Sequence, residues 1–284
     1  MTAHSLIGVD LGGTHMRAGR VEQQSIVDLA TRPTPVTTEA DIVVADLIAT
    51  IRQVLTSETS AIGIGVPSVV DVEQGIVYDA PNIPSWREVH LKRALEVQFQ
   101  LPVHINNDAN CFALGEYHFG KGQGARSLVG LIIGTGVGAG LILDGHLYSG
   151  VNCGAGEIGM IPYRDHTYEY YASGPRFQRE WGRSGSDLYV AAQRGEAEPL
   201  AIFHTFGLDV AKVITVALHA FDPDRIILGG SVSRAYPFFK EAVWEGLKSF
   251  SYPQSLKHLA IEMSEEPEIA ILGAAGLCLD VFNR

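Results

Sequence analysis

Cysteine is scarce in these 284 residues: Cys111, Cys153 and Cys278 stand far apart, and no Cys-x-x-Cys pair occurs. Neither a zinc cage nor a disulfide framework is expected from them, and reduced thiols suit a cytoplasmic protein. Basic charge is also short, with 21 Lys and Arg against 32 Asp and Glu and a net charge of −11. Nucleic acid and anionic membranes are therefore not expected partners, and an anionic ligand would need a divalent cation or a dipole-rich backbone to hold it. No basic stretch opens the chain and Asp10 interrupts the first apolar run, so no signal peptide is expected. Residues 128–143 lack charge but are too few and too glycine-rich for a membrane span. No Gly-x-x-x-x-Gly-Lys-Ser/Thr appears, which excludes a Walker-type phosphate loop.

What remains is an ordinary globular composition, 46% hydrophobic and 19% charged, long enough for two domains of ~100–150 residues. The segment Ile105-Asn106-Asn107-Asp108-Ala109-Asn110 is the first place to look for chemistry. An apolar strand-like run stops there, a helix-compatible segment starts at once, and Asp108 falls at the junction. Helix capping accounts for an Asp or Asn at such a place, because its oxygen accepts an orphan backbone N–H; catalysis is the other reading. Capping boxes at Thr38–Asp41 and at Ser85-x-x-Glu88 predict two further helices. The first carries Val44, Ile48, Ile51 and Leu55 as its apolar stripe; the second runs to about Gln100. The run 61–70 reads as a buried strand ending near Pro67-Ser68, and Gly120-Lys121-Gly122-Gln123-Gly124 as a flexible domain junction. A terminal helix is expected over residues 267–282.

Strand, Gly-Thr turn, strand occurs twice, at residues 6–21 and 128–143, a weak internal repeat. Each turn alone is explained by a tight hairpin. Gly134-x-Gly136-x-x-Ala139 imitates a dinucleotide fingerprint, but a strand follows where that motif needs a helix. Two such turns together with Gly229-Gly230, each at a strand end, favour a phosphate clamp. Glycines let backbone N–H groups approach phosphate oxygens, and Thr14 and Thr135 add hydroxyls. Asp10 ends the first strand beside the turn, where it could hold Mg²⁺ through water.

Six motifs in order, IGVDLGGTHMR at 7–17, INNDANCFALGE at 105–116, IIGTGVGAG at 132–140, GAGEIGM at 154–160, YYASGP at 170–175 and IILGGSV at 226–232, resemble the ROK family of sugar kinases within the actin-like ATPase superfamily. The resemblance implies a two-lobed α/β fold of ribonuclease-H type, with ATP and a hexose meeting in the cleft. Its domains would be 1–119 plus the terminal helix from about 267, and a nucleotide lobe over 120–266. It implies Asp108 as general base, with Asn82, Asn107, Glu157 and Glu169 on the sugar. Gly12, Gly13, Thr14, Gly134, Thr135 and Gly136 would cradle phosphates, and Gly229 and Gly230 would lie on the adenosine side. The implied reaction is ATP- and Mg²⁺-dependent phosphorylation of a hexose hydroxyl, glucose 6-OH first, in a cytoplasmic enzyme that forms a homodimer as relatives commonly do. Sugar binding is expected to draw the lobes together around residues 120–124.

The sequence departs from the family pattern in one coherent place. Met160 stands where most relatives have His, and a Cys-x-Cys-Gly-x-x-Gly-Cys zinc site is missing with much of its loop, leaving residues 161–168 before Glu169. No zinc is expected, and the lone His166 is assigned no metal. Ser68 replaces a usual Gly and His15 a frequent Lys, which bear on the choice of sugar. Two rival readings remain, a sugar-responsive ROK regulator and a pseudokinase that binds sugar without turnover. The first phosphate hairpin starts at Leu6, which is not expected to leave room for a DNA-binding head.

Overall fold

The computed structural model describes residues 5–282. The chain divides into two compact units, residues 1–124 with 146–155 and 266–284, and residues 125–145 with 156–265. The excursion 146–155 into the first unit has no counterpart in the division drawn from sequence.

The first unit opens with β1 (Ser5–Leu11), β2 (His15–Glu22) and β3 (Ser25–Pro33), an antiparallel meander. Helix α1 (Ala40–Val54) leads to β4 (Thr59–Val66). A small sheet of β5 (Val69–Asp71), β6 (Ile76–Tyr78) and β7 (Glu88–Val89) follows, then α2 (Leu91–Phe99), β8 (Val103–Asn107) and α3 (Asp108–Phe119). The main sheet runs β3-β2-β1-β4-β8, with β1, β4 and β8 parallel. Its central strands are buried along nearly their whole length, as expected where helices cover both faces.

Several local expectations shift. The buried stripe of α1 is Val43, Leu47, Ile51 and Val54, so all but Ile51 sit one position before the expected set. Its cap position is Glu39, whose side chain makes no cap bond; the Thr37 hydroxyl accepts the Glu39 N–H instead. Ser85 caps no helix, because Glu88 is taken by β7 and α2 starts only at Leu91 after His90. The strand expected over 61–70 ends at Val66.

The second unit begins with β9 (Leu128–Ile133) and β10 (Val137–Leu143), an antiparallel hairpin. The chain passes through the short strand β11 (His146–Leu147) and later forms a two-stranded ribbon, β12 (Pro162–Tyr163) with β13 (His166–Thr167). Helices α4 (Tyr168–Ala172), α5 (Pro175–Trp181), α6 (Gly185–Gln193) and α7 (Ala197–Phe221) follow. Then come β14 (Arg225–Gly229), α8 (Tyr236–Leu247), α9 (Pro253–His258) and β15 (Ala260–Met263). The sheet order is β11-β10-β9-β14-β15, the same arrangement of hairpin plus parallel strands as in the first unit. The repeat seen in the sequence is thus one sheet plan used twice. Helix α7 has the length and composition of a membrane span, but over half of its apolar window is buried inside the protein, with Phe203 and Phe206 in the core.

The last helix, α10 (Ile269–Phe282), belongs to the first unit. It presses onto β1 and β4 at Gly8 and Gly63, where an added Cβ would overlap the carbonyls of Ile271 and Ala274.

Candidate active site

In the first unit, register sets the ends of the parallel strands side by side. Asp10 lies opposite Gly65, Gly65 opposite Asn106, and Val66 opposite Asn107. Ligands of such sheets bind beyond these carboxyl ends. The turn Gly12–Thr14 leaves the same edge: Gly12 N–H donates to the His15 carbonyl at 2.9 Å, and the Thr34 hydroxyl donates to the Gly12 carbonyl at 2.7 Å. Gly13 packs so closely on Asn82 that an added Cβ would collide with the Asn82 Cβ. Asp10 pairs with Arg17 at 2.8 Å, and Arg17 also reaches Glu268 at 2.6 Å. Burial pulls the Arg17 pKa down, yet the hydrogen bond and charge of Asp10, with the charge of Glu268, carry it above its ordinary value.

Asp108 is not the cap of α3. Asn107 is: its side-chain oxygen accepts the Ala109 N–H at 2.8 Å, while its amide donates to the Ser68 carbonyl at 3.3 Å. Asp108 is the first residue inside the helix, with Oδ1 2.9 Å from the Ala109 nitrogen. Beneath both lies buried Asn106. Its Oδ1 accepts from the Asn107 N–H and the Asn110 amide, each at 2.8 Å, and from the Cys153 thiol at 3.1 Å. Its own amide donates to the Ser149 hydroxyl at 3.1 Å. Asn106 is therefore the residue that sets the turn bearing Asp108, and sequence reasoning did not single it out. Its place in a run of three polar residues at a strand end was the available signal.

In the second unit the Gly134–Gly136 turn closes with Gly134 N–H donating to the Gly136 carbonyl at 2.9 Å. Gly136 abuts the Glu169 carboxylate, which accepts the Val137 N–H at 2.9 Å. Glu157 stands near enough to feel Glu169: desolvation first, then that like charge, raise the Glu157 pKa above the usual carboxylate value. Beside Gly134, the turn after β14 brings Ser231 close. Gly230 has φ +84°, and its own Cβ would strike the Ile133 backbone, so only glycine fits there. A cavity of about 500 Å³ opens beside Gly134 and Thr135, walled by Phe177, Tyr189, Ser231 and Arg234. It is predominantly apolar with a few polar groups, as small-molecule pockets are. Gly229 and Gly230 are not among its lining residues, which resume at Ser231. Phe177 and Tyr189 arrive from α5 and α6, a convergence no linear motif signalled.

A ROK family model matches residues 6–281. The chain belongs to the ROK family. It is 31% identical to a glucokinase of Thermotoga maritima, over 96% of both chains. A solved ROK family glucokinase from Streptomyces griseus, in complex with glucose and AMPPNP, superposes with a TM-score of 0.79 at 27% identity, covering 96% of this chain and 98% of that one. A xylose repressor of Bacillus spizizenii is 31% identical over 68% of this chain, which spans 54% of the repressor. The fold is accordingly the actin-like ATPase fold of ROK sugar kinases.

Among the sites this ROK chain was expected to carry, Gly13 meets Asn82, Asn107 adjoins Asp108, and Glu157 neighbours Glu169. Asp10 offers one carboxylate at a strand end. That suits Mg²⁺, which takes one or two carboxylates and completes its shell with water and phosphate oxygens. No group of three or more His, Cys, Asp or Glu able to hold a metal gathers among the described residues. Asp165 accepts the Tyr171 hydroxyl, and His166 stacks on Tyr170 with ring centres 3.8 Å apart.

Proposed function

We propose that this chain is an ATP-dependent sugar kinase that phosphorylates a hexose hydroxyl, with the 6-OH of glucose as first choice. One observation carries the proposal: Asp10, Asn107 and Asp108 lie at the same carboxyl end of the parallel strands as the Gly12–Thr14 turn. The Asp108 carboxylate takes the hydroxyl proton as the sugar oxygen bonds to the γ-phosphorus and the bond to the β-phosphate oxygen breaks, releasing ADP. The partial positive charge at the start of α3 favours the ionised carboxylate that a base needs. Asn82, Asn107, Glu157 and Glu169 hold sugar hydroxyls, which only such donors and acceptors can fix in place. Backbone N–H groups of Gly13 and Gly136, with the Thr14 and Thr135 hydroxyls, receive the phosphates, while the Gly12 and Gly134 N–H groups close the two turns that present them. The cavity beside Gly134 takes the nucleoside, with the Gly229-Gly230 turn leading the chain to its wall at Ser231. Asp10 would hold Mg²⁺, which when bound would offset the phosphate charge. Similarity to a glucokinase supports the reaction class, and three buried free thiols support a reducing cytoplasm. A homodimer is proposed by analogy with relatives and is checked by light scattering.

The test is ADP release from Mg-ATP over a panel of hexoses. Sugar-dependent release is expected, and Asp108→Asn lowers kcat by roughly 10²–10⁴-fold. No sugar-dependent ADP, or full activity in Asp108→Asn, overturns the assignment. The similarity to a xylose repressor keeps a sugar-responsive regulator as second reading, although a net charge of −11 opposes DNA binding. A gel shift that responds to sugar would favour it.

A further inference from the structure

Glu169 lies on α4, a helix of five residues, too short to hold its shape unaided. Both of its ends are tied to one buried carboxylate. Asp209, in the middle of α7, accepts the Arg176 guanidinium at 2.7 Å on Oδ2. On Oδ1 it accepts Arg164 at 2.8 Å and the Tyr163 hydroxyl at 3.0 Å. Arg176 donates from the same nitrogen to the Tyr171 carbonyl at 2.7 Å, which fixes the C-terminal end of α4. Arg164 sits at the tip of the β12–β13 ribbon with φ +53°, its guanidinium 4.8 Å from the ring centres of both Tyr163 and Tyr171. The ribbon delivers Thr167, which caps α4 by accepting the Tyr170 N–H. Tyr163 stacks on Tyr168 at 4.5 Å. The ribbon before this short helix and the arginine after it thus meet at Asp209.

We infer that Asp209, Arg164 and Arg176 form a positioning cluster that holds the ribbon and α4 together and so aims Glu169. The inference rests on the reading of Glu169 as a sugar ligand. Charge and geometry support it together. Asp209 and Arg176 are each about 3% exposed, and two arginines beside one carboxylate at 2.7–2.8 Å make charge-assisted bonds of fixed direction. The Glu169 carboxylate, so held, bonds the Val137 N–H beside the Gly134–Gly136 turn. Loss of Asp209 would leave two cations near each other with no shared counter-charge. The cluster needs no cysteine.

The test uses the full chain with Arg164→Ala, whose half-exposed side chain is dispensable for the core, Arg164→Lys as the conservative control, and Asp209→Asn. Amide hydrogen exchange is read first. Arg164→Ala is expected to speed exchange about tenfold or more at Val137 and at residues 168–172 while β9 and β14 stay protected. In the kinase assay its hexose KM rises roughly ten- to hundredfold with the ATP KM unchanged, and Arg164→Lys recovers part of the loss. Unchanged exchange at Val137 and 168–172, equal loosening of β9 and β14, or about one zinc per purified chain overturns the inference. If the wild-type protein turns over no sugar, the kinase reading falls alone and the exchange result still decides the cluster. Asp209→Asn should reproduce the Arg164→Ala pattern more strongly; should it fail to fold, the arginine variants carry the decision.

Discussion

Asn107 caps α3, and Asp108 follows as its first helical residue. A cap residue and the residue after it differ by one position in sequence but by a whole role in space, because only the first has the extended backbone that turns its side chain back on the helix. Asn106 below them accepts three hydrogen bonds and donates one, so the carboxylate stands on a rigid base. At the same scale, Glu157 carries a testable cost. Its pKa is raised in the folded protein, so the stability it contributes is complete below the unfolded value of about 4.3 and is lost as pH rises through the folded one. Glu157→Gln is therefore expected to melt about 1–2 °C above the wild type at pH 7.5, with the gap closing toward pH 4. The effect stays small because solvent screens an exposed carboxylate. The same variant should lose affinity for hexose, a stability gain at the expense of function. A melting point unchanged at pH 7.5 would remove the case for Glu157 as a strained ligand.

At the scale of elements, glycine decides how closely α10 can lie on its sheet. Gly63 faces the Ala274 carbonyl with no room for a methyl group, and backbone cannot step aside as a side chain can. Gly63→Ala is expected to destabilise the protein by about 3 kcal/mol, measured by denaturant unfolding; a loss under about 1 kcal/mol would mean that α10 slides freely. The junction at residues 120–124 is less loose than its glycines suggest. The buried carboxylate of Glu116 accepts the Lys121 N–H at 3.0 Å, and the Glu116 carbonyl accepts those of Gly120 and Gly122. Composition announces a flexible loop, while a carboxylate five residues upstream restrains it. The stripe of α1 missed by one position for a related reason. Both candidate stripes are apolar, and the choice between Val43 and Val44 belongs to the angle at which α1 meets β2 and β3.

For the whole molecule, the proposed function predicts that the protein gains stability from a sugar. A hexose at about one hundred times its Kd should raise the unfolding free energy by about 2.7 kcal/mol, visible in a thermal scan; a panel of hexoses with no shift would count against a sugar site of any kind. Much of the plan could be read from residues alone. The two hairpins, the strand–Gly-Gly turn and the Asn107-Asp108 junction depend on local backbone chemistry, and local rules operate within a few residues. The family likewise shows in six ordered motifs, because each is a backbone requirement repeated in sequence. Other features were decided only in three dimensions. Asp209 lies 45 residues from Arg164 and 33 from Arg176, in a helix whose pattern reads as core, so nothing nearby in the chain marks it as the counter-charge for α4. The walls of the cavity, Phe177 and Tyr189 among them, meet by helix packing. Sequence could not announce the ion-pair cluster around Asp209, because charges separated so widely in the chain find one another only when a core has formed around them.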